Sequence, residues 1–322
     1  MDKLKGVVVV GLLRLLALLP WRQAQSLGAA IGWLMLKLPN RSREVARINL
    51  QRCFPELDAE QQRALLRRSL ISIGKTLAES ACTWIWPAEK TLRLIREVQG
   101  LEHLQQALAS GKGVVALSSH LGNWEVLLHY FGLHCQAAYL YRPIKMKAVD
   151  ELLKQQRVQM GTQVLPSNSA GILSLIKIVR RGGAVGIAVD PEPALANGVF
   201  VPFCGVPALT STFATSLLRG HKAVAIFLHA VRLEDGSGYR VIIDPAPEAM
   251  YGEDQNAAVA AMVRLTSCVR PRWRPNSAAG PLCVHWPPGA SRDPSSVSGQ
   301  ACSCAVACSM PYAIWRPRFW GT

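Results

Sequence analysis

The chain lacks the short motifs by which several large enzyme classes are identified. It has no Gly-x-Ser-x-Gly nucleophile elbow, no P-loop and no Gly-x-Gly-x-x-Gly dinucleotide fingerprint. These absences argue against an α/β-hydrolase, a P-loop nucleotidase and a Rossmann dehydrogenase. The nine cysteines form no paired Cys-x-x-Cys pattern, so neither a zinc site nor a disulfide framework is predicted. No metal and no cofactor is expected.

Acidic residues are also scarce. The chain has 36 Lys and Arg against 21 Asp and Glu, which gives a formal net charge of +15. Such a charge predicts an anionic partner, which is a nucleic acid, an acidic lipid or an acidic carrier protein. The sequence shows no nucleic-acid-binding motif and no basic stripe interleaved with stacking aromatic residues. We therefore expect no nucleic-acid partner.

The N-terminal segment lacks an uninterrupted apolar run of the roughly 20 residues that a spanning helix needs. Arg14 divides the apolar residues 6–20, and a second amphipathic stretch follows at 24–38. Residues 1–54 carry nine Lys and Arg against Asp2 and Glu44. This pattern predicts two helices that lie on an anionic membrane surface. A buried helix pair and a single-pass anchor are the alternatives, whereas Arg14 argues against a secretory signal.

The most informative stretch is His120-Leu-Gly-Asn-Trp-Glu125. The apolar residues 114–119 before it predict a buried strand, and Asn123 can cap a helix over 124–133. His120 then lies at the carboxyl end of a strand, with Glu125 close by in the first helical turn. A carboxylate on one ring nitrogen leaves the other free to take a proton from a hydroxyl. The alternative is a capped helix start with an incidental histidine.

From residue 113 onward, strand and helix patterns alternate, which predicts an α/β fold with a mixed, mostly parallel sheet flanked by helices. The last two strands are expected to be antiparallel to each other. The predicted strands are 114–119, 137–141, 163–165, 184–189, 223–233 and 239–243, and the predicted helices are 123–133, 148–160, 170–181 and 211–219. His120, Arg142 and Asp190 each follow a predicted strand, so we expect them to converge at one sheet edge.

The HLGNWE motif resembles the signature of the bacterial lipid A secondary acyltransferases, the lauroyl and myristoyl transferase family of the glycerolipid acyltransferase superfamily. Further residues occur in that family's order over about residues 1–265. They are Tyr141-Arg142-Pro143, Arg157 with Gly161, Asp190, and Phe203-x-Gly205-x-x-Ala208-x-Thr210. The ordered set is more specific than the His-to-Glu spacing alone. Where the family more often has glutamine after the aspartate, this chain has Pro191.

The resemblance implies an acyltransferase on the cytoplasmic face of the bacterial inner membrane. Its donor would be an acyl carrier protein thioester, and its acceptor a hydroxyl on the acyl chains of a phosphorylated glucosamine disaccharide, the lipid A precursor. His120 would be the general base, oriented by Glu125, and no covalent enzyme intermediate would be required. The residues assigned to substrate binding are Asn123, Arg142, Arg157, Asp190, Phe203, Gly205 and Thr210.

Several of these residues also have ordinary structural interpretations. Arg142 suits a phosphate but also a salt bridge at a strand end. Asp190 precedes a proline and can simply form a turn. Thr210 is expected to cap the next helix, and residues 198–207 read as an apolar loop that forms either a wall of an acyl groove or part of the core.

The chain is divided by sequence into three parts. Residues 1–54 are assigned to membrane-anchoring helices, 55–268 to the acyltransferase domain, and 269–322 to an irregular tail that is rich in proline and lacks lysine. We interpret this tail as foreign to the family, either an out-of-frame translation or a replaced terminus. Two rival functions stay open: a lysophospholipid or other glycolipid acyltransferase, and a non-catalytic membrane-binding protein if the altered terminus abolishes activity.

Overall fold

Most strands of the alternating part of the sequence join one large sheet, which has helices on both faces. The computed structural model describes residues 2–159 and 161–267. The helices are α1 (Asp2–Ala17), α2 (Trp21–Lys37), α3 (Arg41–Cys53), α4 (Ala59–Ile85), α5 (Ala88–Leu92), α6 (Leu101–Ala109), α7 (Glu125–Gly132), α8 (Lys147–Gln159), α9 (Ser169–Arg180), α10 (Phe213–His221) and α11 (Gln255–Ser267). The strands are β1 (Ile95–Gln99), β2 (Val114–Ser118), β3 (Ala137–Tyr141), β4 (Gln163–Pro166), β5 (Ala184–Ala188), β6 (Gly198–Phe203), β7 (Val206–Ser211), β8 (Val224–Arg232) and β9 (Tyr239–Pro245). Two short 3₁₀ turns lie at Leu195–Asn197 and Glu248–Tyr251.

Seven strands make the main sheet in the order β1-β9-β8-β2-β5-β3-β4, and β6 and β7 form a separate hairpin. β2 lies at the centre and pairs in parallel with both β5 and β8. β3 is parallel to β5 and to β4, whereas β9 runs antiparallel to β8 and parallel to β1. The prediction of a mixed, mostly parallel sheet with an antiparallel final pair is confirmed.

The central strand is buried on both faces. Val114 and Ala116 of β2 contribute to one apolar cluster, and Val115 and Leu117 contribute to another on the opposite side. Successive side chains of a strand point to opposite faces, so both faces of the sheet must be covered by helices. This explains why the sequence of β2 is continuously apolar rather than alternating.

The six predicted strands and four predicted helices are all present, with ends that differ by a few residues. Residues 56–110 have a helical sequence pattern that does not predict β1, and the interpretation of residues 198–207 as a loop is wrong. β1 is a short edge strand whose middle is polar, with Arg96 and Glu97, and its partner β9 lies far along the chain. A strand that depends on a distant partner gives little local signal.

The helix α2 packs closely against α4 through glycines. A Cβ atom at Gly28 would lie 2.6 Å from the Cα of Lys75 and 2.7 Å from the carbonyl oxygen of Gly74. Gly32 and Gly74 are similarly close to backbone atoms of the facing helix. Small residues at such a crossing allow two helix backbones to come into contact. The contact joins α2 to the body of the protein across the predicted boundary at residue 54.

A buried ion pair also joins these helices to the sheet. The Glu79 carboxylate of α4 accepts hydrogen bonds from Arg232 Nε and Nη2 at 2.6 and 2.7 Å, from the Tyr239 hydroxyl at 2.7 Å, and from Gln25 Nε2 at 2.9 Å. The charges are thereby paired and their hydrogen-bonding capacity is largely used, which a buried ion pair requires. Gln25 of α2 and Tyr239 of β9 are thus held by the same carboxylate.

Within residues 2–159 and 161–267, no helix combines the length and the apolar character that membrane crossing demands. The outer face of α1 is nevertheless apolar, with Leu4 70%, Leu15 63% and, just after the helix, Leu18 79% exposed. The prediction of an irregular tail concerns residues 269–322, which lie outside the described residues.

Candidate active site

The site begins where β2 and β5 end side by side. Ser118 lies opposite Ala188, and the N–H of Val189 donates to the Ser118 carbonyl at 3.0 Å. His120 and Asp190 follow these strand ends directly. The chain then reverses at Gly122, whose φ of +58° favours glycine, and enters α7. The short distance between two adjacent parallel strands thus brings together residues that are far apart in sequence.

Asp190 holds His120 at two points. Its Oδ1 lies 3.0 Å from His120 Nδ1, and its Oδ2 accepts the backbone N–H of His120 at 3.1 Å. A carboxylate only accepts hydrogen bonds, so the proton of the neutral ring lies on Nδ1 and Nε2 is left as the basic nitrogen. Nε2 forms no hydrogen bond within the part of the chain that the structure describes. His120 is therefore oriented as a proton acceptor.

The surroundings of His120 act on its pKa in opposite directions. Burial lowers the pKa, but the hydrogen bond to Asp190 and the negative charges of Asp190 and Glu125 raise it, and together they outweigh both burial and the opposing charge of Arg157. The net pKa of His120 is raised. A raised pKa makes the imidazole a stronger base once it is neutral, and it stabilises the imidazolium that proton transfer would produce.

Glu125 does not contact the imidazole through a hydrogen bond in this structure. Its Oε1 pairs instead with Arg157 Nη2 at 3.2 Å, and both side chains are buried. The prediction that Glu125 holds the His120 ring is therefore replaced by a different arrangement, in which Asp190 contacts the ring and Glu125 acts on it through charge. The physical reason is that α8 brings a guanidinium against Glu125, and this cation is the stronger partner for a carboxylate.

Two aromatic rings complete this cluster. The Arg157 guanidinium carbon lies 4.8 Å from the ring centroid of Tyr141 and 5.7 Å from that of Trp124. The Trp124 ring also meets the His120 imidazole edge-on, with centroids 5.2 Å apart. These rings fix Arg157 and limit the rotation of His120. No role was predicted for Trp124, although its place inside the motif was a signal.

Asn123 differs from its predicted role. The residue before α7 is Trp124, and no side chain caps the helix. Asn123 contributes its carbonyl oxygen, which accepts the Val126 N–H at 3.2 Å. Its amide is buried beside the Tyr239 hydroxyl without a well-aligned hydrogen bond to a described residue. The expectation that the Asn123 side chain caps the helix is wrong because the turn at Gly122 points the amide inward.

The predicted apolar loop is the β6–β7 hairpin, and it carries three of the expected site residues. Phe203 packs against the cluster of Leu121 and Val231 and so lies beside the motif. Gly205 has a φ of +83° in the two-residue turn, and Thr210 is buried within β7. Thr210 is therefore not a helix cap, because α10 begins at Phe213 after Thr212. Thr210 instead pairs with Val199 in the β6–β7 hairpin, and this pairing cannot be seen from residue spacing alone.

Arg142 follows β3 at the same edge of the sheet as His120 and Asp190. Its side chain is exposed, and it forms no ion pair within residues 2–159 and 161–267. The salt bridge that was its alternative role is absent from this described region. The site thus combines the imidazole of His120, the carboxylate of Asp190, the buried guanidinium of Arg157 and the exposed guanidinium of Arg142.

No group of three or more metal-binding side chains occurs among the described residues.

Comparison with known proteins bears on what this site does. The family model described as bacterial lipid A biosynthesis acyltransferase matches residues 3–272. The chain belongs to this family. The match covers most of the chain and includes every residue of the site.

Comparison with individual relatives agrees with this family assignment. The chain is 29% identical to the lipid A biosynthesis lauroyltransferase of Escherichia coli over 78% of its length and 81% of that protein. It is 28% identical to the E. coli lipid A biosynthesis palmitoleoyltransferase, over 80% of its length and 83% of the relative. A lipid A biosynthesis acyltransferase of Haemophilus influenzae is 29% identical over 79% of this chain and 81% of the relative. The expected resemblance is confirmed, and acyl transfer in lipid A biosynthesis is the activity of this family.

Proposed function

We propose that this acyltransferase moves a fatty acyl group from the thioester of acyl carrier protein to a hydroxyl of a lipid A precursor, with His120 as the general base. The observation that carries the proposal is the 3.0 Å contact between Asp190 Oδ1 and His120 Nδ1, which leaves Nε2 as the basic nitrogen. The family fixes the reaction class, and this geometry supports the assignment of the base.

The reaction needs a single proton to be moved twice. His120 Nε2 accepts the proton of the acceptor hydroxyl as its oxygen attacks the thioester carbonyl carbon. The tetrahedral intermediate then collapses, the carbon–sulfur bond breaks, and the imidazolium returns the proton to the leaving thiolate. Asp190 and Glu125 carry the negative charges that stabilise the imidazolium. No enzyme nucleophile and no cofactor is required.

The oxyanion of the intermediate needs hydrogen-bond donors close to His120. The backbone N–H groups of Gly122 and Asn123 have no protein acceptor within the described residues. They lie just before the N-terminus of α7, where the helix dipole favours negative charge. We assign them to the oxyanion.

The remaining side chains are assigned to the substrates. Arg142 is an exposed cation at the catalytic edge and suits a phosphate of the acceptor. Arg157 positions Glu125, and Phe203 on the hairpin offers an apolar wall for an acyl chain. Asn123 has unused hydrogen-bonding capacity beside the motif, whereas Gly205 and Thr210 shape the hairpin. The three parts predicted from sequence, residues 1–54, 55–268 and 269–322, stay our proposed division.

We further propose that the protein works on the cytoplasmic face of the inner membrane and binds it through α1 and α2. The support is the exposed apolar face of α1 together with the nine cations of residues 1–54. Replacing Leu4, Val8, Leu12 and Leu15 by glutamine should move the protein out of the membrane fraction. A control replaces the exposed Leu133 and Leu173, away from the N-terminal helices, by glutamine, and this protein should stay in the membrane fraction.

The function is tested by mass spectrometry of lipid A from cells with and without the protein, followed by transfer from acyl carrier protein to the precursor in vitro. The proposal requires that lipid A from cells with the protein, and the precursor after the in vitro reaction, each carry one added acyl chain. Transfer only to a lysophospholipid would favour a different acyltransferase of the superfamily. Membrane binding without any transfer would favour the non-catalytic alternative.

A further inference from the structure

A depression lies at the turn between α1 and α2, apart from His120. Its volume is about 310 Å³. Its lining combines apolar groups with cations, and the residues that matter are Leu18, Trp21, Trp86, Lys90, Arg93 and Arg96. An apolar floor with a cationic rim suits an amphipathic anion rather than a purely polar or purely apolar ligand.

The floor of this pocket offers ring surface and no free indole donor. Trp86 Nε1 donates to the Ala17 carbonyl at 2.7 Å, and Trp21 Nε1 donates to the Gly236 carbonyl at 3.0 Å. The two ring centroids lie 6.1 Å apart. Leu18 projects at the entrance and is 79% exposed. A ligand therefore meets hydrocarbon and aromatic carbon here.

The rim carries positive charge that the described residues do not neutralise. Lys90, Arg93 and Arg96 are all exposed, and none of them forms an ion pair within residues 2–159 and 161–267. Lys90 Nζ lies 3.7 Å from the Trp86 ring centroid, and Arg96 Nε donates to the Ser237 carbonyl. Both contacts hold a cation in place without cancelling its charge.

The pocket faces the same way as the active site. The N–H of Tyr239 donates to the Leu94 carbonyl at 2.7 Å, so the pocket lies where β1 begins and β9 begins. Since β1 runs opposite to β2, the start of β1 and the end of β2 share one edge of the sheet. Three strand spacings separate them, or about 14 Å. The exposed leucines of α1 adjoin the pocket at Leu18.

We infer that this pocket binds the headgroup of an acidic phospholipid, with the phosphodiester among Lys90, Arg93 and Arg96 and the glycerol and upper acyl chain on Leu18 and Trp21. A free phosphate ion cannot use the apolar floor, and a neutral lipid cannot use the rim. Occupation turns the catalytic edge of the sheet toward the bilayer. The inference rests on the membrane association proposed above and extends it by naming a lipid and a place.

The test is flotation of the full-length protein with vesicles of phosphatidylcholine, with and without phosphatidylglycerol. A variant with Lys90, Arg93 and Arg96 changed to glutamine is compared with a control that loses the same charge at Lys177, Arg180 and Arg181, at the opposite end of the sheet. Each surface cation near an acidic membrane contributes about a fivefold gain in partitioning. The first variant should therefore lose about 100-fold of the phosphatidylglycerol-dependent gain, and the control should keep it.

An equal loss in both variants would mean diffuse attraction and overturn the inference, as would full retention by the first variant. A third vesicle contains lipid A precursor in place of phosphatidylglycerol. If the first variant loses binding only to that vesicle, the pocket is an acceptor phosphate site and the inference is wrong. The His120→Ala variant should bind vesicles like the parent protein. An error in the proposed catalysis would therefore appear only in transfer assays, and an error in the proposed lipid site only in flotation. Unchanged circular dichroism and thermal unfolding of the variants exclude misfolding.

Discussion

The basicity of His120 depends on charges that do not themselves react. Asp190→Asn keeps the size of the side chain and an oxygen that can accept the ring N–H, but it removes a negative charge that raises the pKa of His120. The pKa of His120 should fall, because the imidazolium loses its counter-charge. The neutral base then persists to lower pH.

In the variant, the acidic limb of the kcat/KM profile should therefore move to lower pH, while the maximal rate falls because the imidazolium of the transition state is less stabilised. The measurement is acyl transfer over a pH series with parent and variant side by side. An acidic limb that stays in place or moves upward would show that Asp190 does not control the base.

The carboxylate that contacts His120 could not be identified from the HLGNWE motif alone. Glu125 is five residues away in the chain and was the natural partner on spacing, whereas Asp190 is 70 residues away. The alternation of strands and helices did predict that both reach the same edge. Which of the two carboxylates contacts the imidazole depends on Arg157, because Arg157 forms an ion pair with Glu125. No local sequence pattern predicts that ion pair.

At the scale of the elements, the contact between α2 and α4 leaves no room for a methyl group at Gly28. Gly28→Ala places its Cβ within 2.6 Å of the α4 backbone, so the two helices must separate. Overpacking of this kind costs about 1–3 kcal/mol. The free energy of unfolding, measured with urea in detergent, should fall by that amount.

Gly11→Ala is the matched control for this prediction. A methyl group added at Gly11, on α1, would meet no atom within 4 Å, so the same change should be neutral or stabilise by up to about 1 kcal/mol through helix propensity. Equal effects of the two substitutions would contradict the account of the helix crossing.

Elements with a strong local sequence signal were predictable, and those that depend on distant pairing were not. The apolar run of β2 and the capping box at Asp58 that begins α4 are visible in the sequence. The β6–β7 hairpin is not, because prolines at 202 and 207 suggest a loop and its turn places Cys204, with a φ of +50°, where glycine or asparagine is usual. Its position against Leu121 follows only from the tertiary fold.

For the whole molecule, two buried histidines predict sensitivity to acid. Burial lowers the pKa of His129 and of His229 to about 4 in each case. The unfolded chain binds these protons from about pH 6.5 downward and the folded protein does not, so stability is lost as the pH falls from about 6.5 toward 4. Each histidine should cost about 3 kcal/mol when the descent is complete.

His229→Gln tests this directly, because it removes one of the two groups without adding a charge. Urea unfolding of parent and variant across this pH range should show a shallower loss of stability in the variant. If both lose stability equally as the pH falls, His229 is not held neutral in the folded protein.

The sequence predicted the fold class and the family, since periodicity and an ordered set of motif residues extend over most of the chain. It did not predict that α2 is tied to the sheet, because the hydrogen bonds from Gln25, Arg232 and Tyr239 converge on Glu79 from elements far apart in sequence. A buried polar network of this kind is defined only by the assembled structure.

The central claim is that His120 is the general base, and its most direct test is the rate of acyl transfer from acyl carrier protein to a lipid A precursor by His120→Ala. The rate should fall about 10²–10⁴-fold, because a positioned general base contributes that much. His103→Ala, on α6, is the matched control and should keep the parent rate. A folded His120→Ala protein that transfers acyl chains at nearly the parent rate would contradict the account.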